Sequence, residues 1–350
     1  MTERQEQALL KKRVDHVLST FVTAQAQALD DIDACLAPLS RQLHAATGQG
    51  KRLRAAFCYW GWRGTGQPDS EALVHAAAAI ELVHAAAVVH DDLIDDSRTR
   101  HGHPTAHLAL RQALPDHEHP TAGARALAML VGDLLMSMAG QLFTSCGLPG
   151  AFLNRARPMW AVLARELVAG ECLEVLHTGR EPNPDASVKV IRYKTAKYTV
   201  EHPLHIGGLL AGAPPPLLRA YSQYGLPLGE AFQLRDDLLG LFGDPEHTGK
   251  NPADDLAGER PTALMAHALA SATPAEHAEL RHLLGQADLS ERQVEQAREI
   301  IRRTGAVTRV EDMITTRLRQ AHEALADADL TGEARRALAD LATNATDRTH

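Results

Sequence analysis

The stretch His90-Asp91-Asp92-Leu93-Ile94-Asp95-Asp96 puts four carboxylates into six residues, and a second acidic pair, Asp236-Asp237, lies far downstream. On a helix, at about 100° per residue, Asp91 and Asp95 share one face about 6 Å apart along the axis, with Asp92 and Asp96 a second such pair beside them. Like charges at that spacing repel by roughly a few tenths of a kcal/mol in water, and by more where water is scarce. A cation removes the repulsion. Carboxylates without cysteine suit a hard, oxygen-seeking ion, and Mg²⁺, which keeps waters and accepts substrate phosphates, fits best. For a lone cluster the alternative is an acidic helix end in solvent; the second cluster argues for cations held between two helices to grip phosphate.

Basic residues stand where such a ligand would need them. Lys51, Arg52 and Arg54 follow the turn Gly48-Gln49-Gly50; Arg98 and Arg100 follow the first acids; Lys194 and Lys197 lie in Arg192-Tyr193-Lys194-Thr195-Ala196-Lys197-Tyr198; Lys250 follows the second acidic pair. Singly, each reads as a solvated side chain. Together with two acid clusters they suit diphosphate, the acids through metal and the cations directly. No Ser/His/Asp or Cys/His arrangement suggests a protein nucleophile.

The elements that must carry these residues read as helices. Residues 71–89 are almost wholly apolar and run into the acids, and Asp69 or Ser70 is placed to cap that helix. Residues 6–44 read as one or two amphipathic helices, and 121–143, 153–176, 187–210 and 217–242 as further ones. Gly147-Leu148-Pro149-Gly150, Pro182-Asn183-Pro184 and Pro214-Pro215-Pro216 separate them. Residues 97–120 read as a surface loop with a short helix inside, residues from 262 onward as Ala/Leu helices, and 344–350 as a frayed polar tail. No segment keeps a period of two. With 45% hydrophobic but only 4% aromatic residues, alanine and leucine fill the core. An all-α, single large helical bundle over 1–350 is expected, since no linker divides it.

The net charge is −8, and the basic residues are scattered, which argues against a nucleic-acid partner. Four cysteines with no CxxC pair indicate neither a zinc site nor a disulfide framework. The charged N-terminus lacks the apolar region of a signal peptide, and no run of about 18 apolar residues is evident. A cytoplasmic protein without integral membrane association is expected.

These residues resemble the trans-isoprenyl diphosphate synthases, or polyprenyl synthetases, over about residues 50–261. Asp91-Asp92-Leu93-Ile94-Asp95 resembles the family's first aspartate-rich motif and Phe232-Gln233-Leu234-Arg235-Asp236-Asp237 its second. Gly50-Lys51-Arg52-Leu53-Arg54 is similar to the Gly-Lys-Arg-x-Arg element, His84 to the histidine upstream of the first motif, and Lys194-Thr195 to the Lys-Thr pair. The resemblance implies the isoprenoid synthase fold, a bundle around a central cavity, in a homodimer. It implies three Mg²⁺ per site, on Asp91 and Asp95 on one side and Asp236 on the other, with Asp92 and Asp237 in support through waters. Arg100, Lys194 and Lys250 would bind an allylic diphosphate, and Lys51, Arg54 and His84 the diphosphate of isopentenyl diphosphate. Gln233, Lys194 and Thr195 would steady the allylic cation.

Two departures stand out. The family's second arginine after the first motif is His101 here, a weaker and pH-sensitive contact for isopentenyl diphosphate. The second motif ends in Gly240 rather than aspartate, with Asp244 either its substitute on the next turn or a loop acid. In the family, aromatics at the positions of Ala86 and Ala87 stop elongation early. Two alanines, with Val83 and Ile80 further back and Leu134, Met136 and Met138 as a floor, imply a product beyond fifteen carbons, geranylgeranyl diphosphate foremost; a farnesyl or longer-chain product is the alternative. Ala85-Ala86-Ala87 could instead simply permit close helix packing. Three other classes compete: a terpene cyclase, which has no use for Lys51, Arg54 and His84; a metal-dependent phosphohydrolase built on His90-Asp91; and an inactive regulatory subunit. His75, His202 and His205 read as core or interface histidines, and Lys197 and Tyr198 as bordering the site or at the surface.

Overall fold

The computed structural model describes residues 3–100, 102–244, 252–286 and 288–346. The chain runs α1 (Glu3–Ile32), α2 (Ala37–Thr47), α3 (Leu53–Arg63), α4 (Glu71–Ile94), α5 (Ala106–Arg111), α6 (Pro120–Thr144), α7 (Gly150–His177) and α8 (Pro184–Val190). A π-helical segment, Ile191–Glu201, joins α8 to α9 (His202–Ala211), followed by α10 (Pro215–Phe242), α11 (Pro252–Ala257), α12 (Ala263–Ser271), α13 (Pro274–Leu283), α14 (Glu291–Arg303), α15 (Ala306–Asp327) and α16 (Gly332–Thr346). Among the described residues the strands are two-residue stubs, Thr99–Arg100 paired antiparallel with His103–Pro104. The all-α reading holds.

Two apolar cores form. The larger gathers α1 to α7, α9, the first half of α10, the end of α15 and α16 around Phe57, Leu73, Ile80, Leu135, Leu163 and Leu204. The smaller gathers the second half of α10 and α11 to α15 around Leu234, Leu238, Leu264, Leu280 and Ile300. Buried tyrosines in the larger core have partners, Tyr221 donating to the Gly61 carbonyl at 2.7 Å and Tyr224 to that of Leu338 at 2.6 Å, as burial requires. Gly207 explains the close approach of α9 to α3: a Cβ there would lie 1.9 Å from the Cys58 carbonyl oxygen.

Several local expectations change. Ser70 occupies the N-cap of α4 but its side chain makes no capping bond; the Asp69 carboxylate instead accepts from Arg13 at 3.0 Å and the Tyr59 hydroxyl at 3.1 Å. Residues 187–210 lie within one continuous helical run, 184–211, whose middle, Ile191–Glu201, is wound as a π-helix. Asn344 to Thr346 continue α16. By length and composition α4 and α6 could each span a bilayer, contrary to the sequence reading, although 72% of the apolar window of α4 is buried inside the bundle, against 44% for α6.

His202 is a core residue, 2% exposed. Its Nε2 lies 3.2 Å from Glu166, with Lys197, Glu201 and His205 also facing it, and burial lowers its pKa to about 4 despite Glu201 and Glu166. The unfolded ring takes its proton near pH 6.5 and the folded one only well below that, so this group's contribution to stability falls as the pH drops through that window. The His202→Gln protein should therefore lose less of its thermal midpoint between pH 7.5 and 5 than the wild type. Equal losses would sink this account.

Candidate active site

A cleft of 410 Å³ opens between the two cores. On α4 its wall is the stripe His84, Ala87, Val88 and Asp91, the i, i+3, i+4, i+7 face of a helix. On α10 the apolar positions Ala231, Leu234, Leu238 and Leu241 point into the smaller core, which turns Phe232, Gln233, Asp236 and Asp237 toward the cleft. Leu167, Glu171 and Glu174 line it from α7, and Lys194, Thr195 and Tyr198 from the π segment. A π-helix, bonded i→i+5, is rare and concentrates at functional sites. Two glycines let this one be gripped from both sides: a Cβ on Gly170 would meet the Lys194 amide nitrogen at 2.3 Å, and one on Gly229 the Ala196 Cα at 2.4 Å.

The first acidic cluster divides in two. Asp91 faces the cleft, and Asp92, buried, accepts from Arg100 Nε at 3.1 Å and from its terminal nitrogen at 2.5 Å. Asp95 is the C-cap residue of α4 and is paired with Arg260. Asp96 does not extend the pattern: its φ of 52° takes the chain off the helix, and its carboxylate meets Arg125 at 2.7 Å. The expected Asp92/Asp96 pair on one helix face is therefore absent.

Sequence reading missed three charged residues. Glu171 and Glu174 meet Lys194, whose Nζ is 3.0 Å from Glu171, in contact with Glu174 and 2.8 Å from Asp91. Their only local signal is an i, i+3 acidic pair on an otherwise apolar stretch of helix. Arg260 reaches Asp95 from the loop before α12, and nothing in its neighbourhood announces that contact.

Electrostatics follow from this crowding. Five carboxylates, Asp91, Asp92, Asp95, Glu171 and Glu174, face three cations, Arg100, Lys194 and Arg260. Burial would raise the pKa of Asp91, yet Lys194, with Arg260 and Arg100, outweighs burial and holds it below the usual value. Burial, aided by neighbouring carboxylates, lifts Glu171 to about 7 and Asp95 to about 6, and burial raises Asp92 despite Arg100. The site has more negative charge than its own cations neutralise. Carboxylate oxygens of Asp91, Glu171 and Glu174 lie within 4.8 Å of one another, an all-oxygen donor set that fits Mg²⁺.

Beyond the acids, the Thr195 hydroxyl donates to Gln233 Oε1 at 2.8 Å, and Gln233 Nε2 donates to Asp237 at 2.8 Å. Arg54 and His84 line the cleft with Tyr198 between them. Lys51 is exposed ahead of α3 and is not among the cleft-lining residues. Its neighbour Arg52 is structural: at φ 55° it bonds Asp15 at 2.7 Å and the Thr47 carbonyl at 2.6 Å, holding the turn that sends Arg54 inward. Ala87 lines the cleft, whereas Ala86 and Val83 are buried in the larger core. At 100° per residue they stand about 140° and 80° from Asp91 around the axis, Ala87 only about 40°. Gly240 is buried on α10 and Asp244 is exposed beyond its end. His101 and Lys250 lie outside the described residues, and the four cysteines are free thiols.

An all-helical bundle brings acid pairs from α7 and α10 to one cleft, a donor set that suits a hard divalent cation. The chain belongs to the polyprenyl synthetase family, whose model matches residues 37–301, and it is a trans-prenyltransferase. It is 32% identical over 247 residues to an octaprenyl diphosphate synthase of Escherichia coli, covering 69% of each chain. It is 33% identical over 216 residues to a (2E,6E)-farnesyl diphosphate synthase of Mycobacterium tuberculosis, covering 61% of this chain and 55% of that one. The crystal structure of a geranylgeranyl pyrophosphate synthase from Corynebacterium glutamicum, complexed with isoprenyl diphosphate and magnesium, superposes with a TM-score of 0.92 at 33% identity, covering 97% and 98% of the two chains.

Proposed function

We propose that this protein condenses isopentenyl diphosphate head to tail with an allylic diphosphate to give a trans-prenyl diphosphate, geranylgeranyl diphosphate foremost. The observation that carries the reading is one cleft lined by Asp91 on α4 and by Asp236 and Asp237 on α10, with Lys194 against the acids and Arg54 and His84 along the wall. Asp91, Asp95 and Asp236 would hold three Mg²⁺, with Asp92, Asp237, Glu171 and Glu174 in support. Bound magnesium supplies Lewis-acid charge to the departing diphosphate.

This chain's own groups do the rest. Lys194, Arg100 and Lys250 neutralise the allylic diphosphate, and Arg260 joins them. Arg54 and His84, with Lys51 and His101, hold isopentenyl diphosphate. Thr195 and Gln233, held by their hydrogen bonds at the cleft wall, offer fixed dipoles that stabilise a developing allylic cation without reorganising. The homoallylic double bond attacks that cation, and the released diphosphate takes the proton.

Relatives that make farnesyl, octaprenyl and geranylgeranyl chains leave product length to this chain's own apolar wall. Ala87 at that wall, together with the likeness to the Corynebacterium enzyme, supports a C20 product. A single domain acting as a homodimer in the cytoplasm completes the reading, and the free cysteines suit that compartment. Incubating the protein with Mg²⁺, labelled isopentenyl diphosphate and allylic diphosphates of ten, fifteen and twenty carbons tests it. Elongation of the first two to twenty carbons is expected, and no elongation from any primer would overturn it.

A further inference from the structure

Glu230, on α10, is 5% exposed and holds two arginines. Its Oε1 accepts from Arg192 Nε and from a terminal nitrogen of the same guanidinium, both at 2.7 Å, and its Oε2 accepts from Arg317 Nε at 2.7 Å. Arg192 belongs to the π segment and Arg317 to α15, so one buried carboxylate ties three elements together. Neither Arg192 nor Glu230 is among the cleft-lining residues.

Taking a carboxylate out of water costs free energy that a packed apolar side chain would not, and the best-attested reason to keep one is to fix register. Here register has a chemical consequence. Glu230 lies three residues before Gln233, and Arg192 three residues before Thr195, whose hydroxyl donates to Gln233 at 2.8 Å. Gly229 beside Ala196 lets α10 and the π segment close up, but a glycine has no side chain to stop them sliding; the Arg192–Glu230 pair has. Lys194 has anchors of its own in Asp91, Glu171 and Glu174. Helix α15 is held to α10 independently, by Arg235 donating to both oxygens of Glu311 at 2.6 and 2.8 Å. What the Arg192 arm adds is the seat of the π segment on α10.

We infer that Glu230 is a positioning residue: through Arg192 it fixes the register of the π segment against α10 in which the Thr195 hydroxyl meets Gln233, while Arg317 holds its carboxylate in place. Glu230 acts through these neighbours and touches no substrate. The inference rests on the proposed role of Thr195 and Gln233 beside the developing cation. Because that role is exercised in the transition state, loss of register lowers kcat and spares both KM values.

The test is steady-state kinetics of the full-length protein with Mg²⁺, varying each diphosphate substrate at saturation of the other. Glu230→Gln keeps the size and removes the charge that both arginines bind. Arg192→Gln removes one arm at a side chain that is 46% exposed, so folding is kept. Each should lower kcat about tenfold, less than the roughly 100-fold that a 1 Å misplacement can cost, and leave both KM values within about threefold. The unfolding midpoint of Arg192→Gln should stay within a few degrees of the wild type. In a Thr195→Val background Arg192→Gln should cost less than about twofold, since residues that act through one contact are not additive. A kcat for Arg192→Gln within about twofold of the wild type, a loss confined to KM, or the same loss with and without Thr195 would overturn the inference. If Thr195→Val itself leaves kcat unchanged, the role proposed for the Thr195–Gln233 pair falls, and this inference with it.

Discussion

Asp91→Asn should lower kcat about 10³-fold, while Asp96→Asn, five residues on in the same acidic run, should change it less than about twofold. Both substitutions remove one carboxylate charge and keep the size, so composition alone cannot separate them. Geometry does. Asp91 faces the cleft, contacts Lys194 at 2.8 Å and shares a carboxylate cluster with Glu171 and Glu174; Asp96 has turned off the helix to Arg125. Losing one preorganised charge that acts on a leaving group costs about 10²–10³ or more in rate. Folding should survive with a modest loss of thermal midpoint, because Asp91→Asn gives up its ion pairs with Lys194 and Arg100 while Glu171 and Glu174 still hold Lys194 and Asp92 still holds Arg100. A second readout follows from linkage: Mg²⁺ with inorganic diphosphate should raise the thermal midpoint of the wild type and of Asp96→Asn, and that of Asp91→Asn markedly less. Retention of a tenth of the activity by Asp91→Asn would remove it from the metal-binding set.

The second large effect is on product rather than rate. Ala87→Phe places a ring on the cleft-facing stripe between His84 and Asp91, about 6 Å from Asp91 along the axis. A five-carbon unit extends a chain by about 5 Å at ordinary bond lengths, so the ring meets the growing chain within its first units. The main product is expected to shorten by one or two isoprene units, read by chromatography of the dephosphorylated alcohols. Ala86→Phe is the control. Ala86 is fully buried on the far side of α4, so a ring there overpacks the core and should lower stability by about 1–3 kcal/mol more than it shortens the product. An unchanged chain length in Ala87→Phe would place the elongation path elsewhere.

Much of this protein was legible in the chain because its signals are local. An apolar helix that ends in Asp91-Asp92-Leu93-Ile94-Asp95 and a second pair at Asp236-Asp237 declare a metal and phosphate chemistry through charge repulsion alone, and helix breakers at Pro149, Pro184 and Pro214 mark the starts of α7, α8 and α10 to within a few residues. The Thr195–Gln233–Asp237 chain of hydrogen bonds joins residues that the motifs had already singled out.

What escaped depends on partners distant in sequence or on helical phase. Glu171 and Glu174 look like ordinary surface acids until α7 is laid against the π segment, an approach that needs Gly170, where a Cβ would meet the Lys194 amide nitrogen at 2.3 Å. The π segment itself has no sequence signature, yet it decides which faces Lys194, Thr195 and Tyr198 present. Val83 was placed on the Asp91 face of α4 and Ala86 beside Ala87 by family resemblance; the structure buries both in the larger core, and Ala87 and His84 line the cleft. The sequence by itself therefore determined which chemistry is possible: helices, oxygen ligands for a hard cation and cations for diphosphate, all set by residue type and short-range period. Only the tertiary structure decided which of those groups meet, because a carboxylate or an amine gains its function from charges brought beside it by packing, and packing is fixed by contacts between residues as far apart as Arg54 and Tyr198 or Asp95 and Arg260.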